Sequence, residues 1–86
     1  MEIKIKNFGT ILVSRPDGRE AFFTIRSYFK TESDTIFLDF EGVEVVAPSW
    51  LDEVLTALEQ EFKTKKIELI NADNVTIQEA LKVMGR

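Results

Sequence analysis

The sequence predicts an α/β fold: a four-stranded mixed β-sheet packed with three helices, in the order β-β-α-β-α-β-α. Three observations carry this. Residues 35–40 are nearly continuous in apolar side chains, as a central strand covered on both faces requires. The segments on either side of it repeat apolar residues every three to four positions, the period of a helix with one buried face. Alternation of strand and helix then implies parallel pairing through right-handed crossovers, with a leading hairpin adding one antiparallel strand.

Taken in order, residues 2–6 alternate polar and apolar, with Ile3 and Ile5 on one face of a half-buried strand. Asn7-Phe8-Gly9-Thr10 supplies turn chemistry, and residues 11–13 form a second, apolar strand. A Gly-containing connection between two short strands reads as an antiparallel hairpin. Asp17 with Glu20 fits a capping box, and Phe22, Ile25 and Phe29 recur at helical spacing, which predicts a helix over 18–30. Phe23 and Tyr28 widen its apolar face, and Glu32-Ser33-Asp34 ends it. After the central strand, Glu41-Gly42 interrupts the run, and residues 43–47 make an apolar, extended approach to the next element. Leu51, Val54, Leu55, Leu58 and Phe62 form a clean helical stripe opened by Pro48-Ser49-Trp50. Lys63 and its neighbours end that helix with positive charge, which favours the dipole. Residues 67–70 are the last strand. Thr76 with Glu79 then offers a cap for a final helix that buries Ile77, Ala80, Leu81 and Met84 before Gly85.

At 86 residues the chain is expected to form one domain, 1–86. Leu, Ile, Val and Phe make up about a third of it, which argues against intrinsic disorder. There is no Cys, so neither a disulfide nor a thiol nucleophile is possible, and no His, the commonest metal ligand and neutral-pH base. The net charge of -4 has the wrong sign for a nucleic-acid backbone binder. No apolar run approaches the ~20 residues of a membrane span or the stretch of a signal peptide. The expectation is a cytoplasmic, soluble domain without metal or cofactor.

The chain has no phosphate-binding glycine loop, nucleophile elbow or metalloprotease motif. Asp39 interrupts the apolar central strand near its carboxyl end, where ligands of open α/β sheets gather. It either serves such a crevice or accepts backbone N–H groups in the turn after Phe40. Asp52 and Glu53 are adjacent on a helix and point apart, so they complement the dipole rather than form a catalytic pair. Ser49 either caps its helix, contributing ~1 kcal/mol, or presents its hydroxyl for phosphorylation at the positive end of the helix dipole. Trp50, the single Trp, either covers the core or stands partly exposed as an interface anchor, with Glu53 and Ala57 on its flank.

The segment Leu38-Asp39-Phe40-Glu41-Gly42-Val43, then Val45-Val46, then a Ser opening an amphipathic helix, resembles the STAS domain of anti-sigma factor antagonists. The run Pro48-Ser49-Trp50-Leu51-Asp52-Glu53-Val54 is similar, more closely, to the short bacterial STAS-like domains of unknown function. Gly18-Arg19 and Asn71 match that group too. The resemblance implies a STAS-like fold and a non-enzymatic regulatory module. It also implies a partner, a histidine-kinase-like ATPase that doubles as a serine kinase. Laid onto the antagonist loop, the usual phosphoacceptor falls on Pro48, with Ser49 the next residue.

The favoured expectation is therefore a protein-binding surface built from the 43–53 loop and the helix after it, using Asp39, Pro48, Ser49, Trp50, Asp52, Glu53 and Ala57. Two alternatives stand beside it: a homodimer formed through the aromatic first helix, and a small-ligand or nucleotide site at the Ser49 helix N-terminus.

Overall fold

A computed structural model describes residues 1–28 and 35–86. Strand β1 is Glu2–Lys4, followed by a 3₁₀ turn over Ile5–Phe8 and strand β2, Ile11–Leu12. Helix α1 is Arg15–Tyr28, β3 is Thr35–Asp39, β4 is Val45–Val46, α2 is Pro48–Glu61, β5 is Lys66–Ile70 and α3 is Val75–Val83. Phe29 and Lys30 at the predicted end of the first helix, and the predicted break over 32–34, lie outside the described residues.

Strand β3 occupies the centre, as its apolar run requires. It pairs in parallel with β1, Ile3 opposite Leu38, and with β5, Leu38 opposite Leu69. Among the described residues, the expected single four-stranded mixed sheet with a leading hairpin is replaced by five strands in two sheets. The second sheet is a ribbon of β2 and β4, also parallel, with Ile11 opposite Val45. The physical reason lies between β1 and β2. Four residues wind into a 3₁₀ turn that closes on Gly9 at φ 127, so the chain leaves the edge of β1 instead of reversing through a two-residue hairpin turn. The approach over 43–47, read as merely extended, supplies the partner strand.

Two helix starts differ from expectation. The Ser14 hydroxyl accepts the Asp17 N–H at 3.2 Å, so Ser14 caps α1 and Asp17 sits inside the first turn. In α3 the cap is Asn74, whose Oδ1 accepts the Thr76 N–H at 2.7 Å. Both caps lie upstream of the residues chosen from sequence, because more than one Ser, Thr, Asn or Asp competes within each entry segment.

The core joins Ile36 and Leu38 of β3 to Phe22 and Ile25 of α1 and Ile77 and Ala80 of α3. From α2 come Leu51, Val54, Leu55 and Leu58, the stripe read from sequence. Each such side chain, fully buried, contributes about 1.5–3 kcal/mol before ordering entropy is subtracted. Helix α2 packs against both α1 and α3. Its approach to α1 is close: a Cβ added to Gly18 would lie 2.7 Å from the Trp50 carbonyl oxygen and 3.1 Å from Glu53 Cβ. Among the described residues no helix is long and apolar enough to cross a membrane.

Candidate functional site

Parallel pairing brings the carboxyl ends of β3 and β5 to the same edge. Asp39 ends β3 in register with Ile70, which places Asn71, the next residue, beside its carboxylate. Asp39 Oδ1 accepts the Asn71 side-chain amide at 2.9 Å and the Glu41 N–H at 3.0 Å. The Asn71 amide first, and then the Glu41 N–H, hold the Asp39 carboxyl below the usual carboxylate range. Lys4 and Lys6 act in the same direction, and burial opposes them. Asn71 reaches this position with φ 53, a left-handed conformation that Asn tolerates better than most residues. Of the two roles open to Asp39, the structure therefore shows the turn-bracing one. Beyond it lies an open cavity of about 370 Å³ that includes Glu41, Gly42, Asn71, Asp73 and Asn74 in its lining.

Asn74 ties this edge to the ribbon. Its side-chain amide donates to the carbonyls of Val43, at 3.1 Å, and Glu44, at 2.8 Å. The Thr76 hydroxyl, itself donating to Asn74 Oδ1, accepts the Val46 N–H at 3.0 Å. The edge of β4 that faces α3 is thus closed by a side chain, not by a strand.

At the start of α2 the expected cap is absent. Ala47 occupies the cap position with no side-chain bond, and Pro48 sits in the first turn, where its fixed φ and missing N–H suit a helix start. Ser49 consequently falls inside the first turn, exposed, and no hydrogen bond among the described residues engages its hydroxyl. Trp50 is 1% exposed and belongs to the core, which corrects the interface-anchor reading. The flank of α2 is turned toward α1. Arg15 lies 3.0 Å from the Asp52 carboxylate and 3.1 Å from that of Glu53, and Arg19 lies 2.7 Å from Glu53. Arg19 and then Arg15 hold the Glu53 carboxyl low, and Arg15 with Thr56 does the same for Asp52. Ala57 is half-buried on the same side.

The predicted site residues therefore divide. Pro48, Ser49, Asp52, Glu53 and Ala57 share α2, whereas Asp39 lies behind the open cavity and is bonded to two of its lining residues, Glu41 and Asn71; none of those five lines it. Among the aromatics of α1, Phe22 is buried. The exposed Phe23 ring lies beneath the guanidinium groups of Arg19 and Arg26, 5.5 and 5.1 Å from its centroid. Sequence reasoning found no role for Arg15 and read Thr76 only as a helix cap, missing its bond to the Val46 N–H. The Arg15 contacts to Asp52 and Glu53 and the Thr76 contact to Val46 each span 30 or more residues, and no local pattern signals that.

Comparison with known proteins adds a family. No curated protein and no solved structure matches the chain significantly. The family model of the STAS-like domain of unknown function (DUF4325) matches residues 17–76, from the first turn of α1 into α3. That span takes in the close α1–α2 contact at Gly18, the central strand, the 43–49 segment and Asn71. The chain belongs to the family of STAS-like domains of unknown function.

Proposed function

We propose that this chain is a non-catalytic regulatory module that binds a protein partner through the 43–49 segment and the first turns of α2. The observation that carries this reading is Ser49: an exposed hydroxyl in the first turn of a helix, free of any capping duty, four and five residues after the exposed Val45 and Glu44. Among the described residues no hydrogen bond depends on that hydroxyl. A phosphate there would add about -1.5 to -2 charge one turn ahead of Asp52 and Glu53. Those carboxylates already engage Arg15 and Arg19, so the added charge would change the surface while leaving the core intact. The absence of His and Cys from the sequence is in keeping with binding rather than catalysis. The resemblance to anti-sigma factor antagonists makes a histidine-kinase-like ATPase the partner class to test.

The test is affinity capture from the source lysate, with mass spectrometry on bait and prey. Recovery of such an ATPase by the wild type, and its loss on Ser49→Asp, is the expected result. An unmodified bait that captures only itself would end the proposal.

A further inference from the structure

The ribbon alternates sharply. Leu12 and Val46 are buried, whereas Ile11, at 63%, together with Val13 and Val45, is exposed. Ile11 and Val45 are register partners, so they stand side by side on the outer face. Val45 continues into a groove of about 300 Å³ between the ribbon and α3, lined also by Val46, Pro48, Val75, Ala80 and Val83. Val75 and Val83 are each 72% exposed, two turns apart on one face of α3. An aliphatic surface this continuous, on a chain of this size, marks an interaction site.

Two features of the groove select its occupant. The first is charge. Glu79 is its one charged lining residue, Glu44 adjoins Val45, and the neighbouring cavity at the N-terminal end of α3 carries Glu41 and Asp73. Lys82, 3.9 Å from Glu79 with both side chains largely exposed, offsets only part of this. A second copy docking face to face would set these carboxylates against their own kind, whereas basic side chains would complement them. The second feature is the backbone. The Val46 N–H that points toward α3 is already taken by Thr76, which leaves an added strand without that donor. Recognition through side chains, a helix laid into a groove, fits instead.

We propose that the β4–α3 groove binds an amphipathic helix of a protein partner, one with aliphatic anchors at helical spacing and Lys or Arg beside them. This rests on the partner-binding reading above and extends it to a second surface. The test pans the purified chain against a phage-displayed library of random helical peptides, with Val83→Glu and Val75→Glu as counter-targets. Enriched peptides should carry aliphatics at i, i+3 or i+4 and i+7 with flanking basic residues. They should bind about tenfold or more weakly to either variant, as loss of a central anchor implies. Added salt should weaken them further. Both variants should melt like the wild type; if one does not, the other carries the comparison. The proposal is overturned by no enrichment, by enriched peptides without the helical pattern or the basic residues, or by binding indifferent to both variants. A dimer in sedimentation that Val83→Glu dissociates would overturn it too, by giving the groove to a second copy. Lysate capture that depends on Ser49 but not on Val75 or Val83 would leave the first reading standing and remove this one.

Discussion

Gly18→Ala is the most exacting test of the α1–α2 contact, because two opposing effects of known sign meet at one atom. The residue sits in the first turns of α1, where an Ala side chain suits a helix better than Gly by about 0.5–1 kcal/mol. Acting alone, that gain would raise the melting temperature. The structure predicts the reverse. The new Cβ would lie 2.7 Å from the Trp50 carbonyl oxygen, and contacts under 3.0 Å are essentially never seen, so one backbone must withdraw by at least 0.3 Å. Overpacking of this kind costs about 1–3 kcal/mol. The obstacle is backbone rather than a flexible side-chain tip, so the upper half of that range applies. The net loss is then about 1–2.5 kcal/mol, or about 4–20 °C in melting temperature for a domain of this size. Thermal unfolding followed by circular dichroism measures the shift. Fluorescence of Trp50, the single Trp, reports whether its surroundings move. A variant that melts at or above the wild-type temperature with an unchanged Trp50 spectrum would refute the close approach.

Further outcomes follow from the same structure. Trp50→Ala should cost about 3–5 kcal/mol, the range for emptying a core aromatic site. Ser49→Ala should stay within about 0.5 kcal/mol, as an exposed residue without a capping role does; chemical denaturation of the two side by side checks both. Asn74→Ala should cost at least ~1 kcal/mol, since it removes the α3 cap together with the donors to the Val43 and Glu44 carbonyls, and unfolding in urea measures it. The Asp39 carboxyl titrates below its ordinary value in the folded state, so its contribution is complete above the unfolded carboxyl range and fades as pH falls through the folded value. Asn71→Ala should move that titration upward, read from the carboxyl carbon shift by NMR, and should reduce stability at neutral pH. An unmoved titration would show that the amide is not the main cause.

The parts of this fold legible in the sequence are those set by local periodicity. The α2 stripe from Leu51 to Leu58 and the run over 35–40 fixed a central strand beside an amphipathic helix, and both stand where the pattern put them. Parallel pairing across the helices was legible from the strand–helix alternation, but the partners of β1 and β2 were not, because short apolar segments read the same whether the partner is the next strand or one beyond a crossover. Caps slipped for a related reason. Ser14 and Asp17, or Asn74 and Thr76, offer similar side-chain acceptors, and only the packed helix axis chooses between them. At the candidate site, the exposed Ser49 could be located, but its freedom from capping followed from Pro48 starting the helix ahead of it. The neutralisation of Asp52 and Glu53 by Arg15 and Arg19 depended on Gly18 admitting α1 so closely.

The all-parallel pairing has a consequence for how the chain assembles. Glu2 waits for Phe37, Ile11 for Val45 and Thr35 for Lys66, so among the described residues no strand finds its partner by a local reversal. Every pairing must first close a long loop, and the entropy of that closure is spent before any ladder hydrogen bond repays it. During synthesis β1 and β2 emerge ahead of β3 and β4, the strands they pair with, while α1 can already wind. The sheet can form only once β3 has left the ribosome, and it gains its other edge only with β5. The helices are therefore the early events and the strands the late ones. The slow step of folding should be sensitive to substitutions in β3, which bonds to a neighbour on each side, and far less so to those at the exposed end of α3.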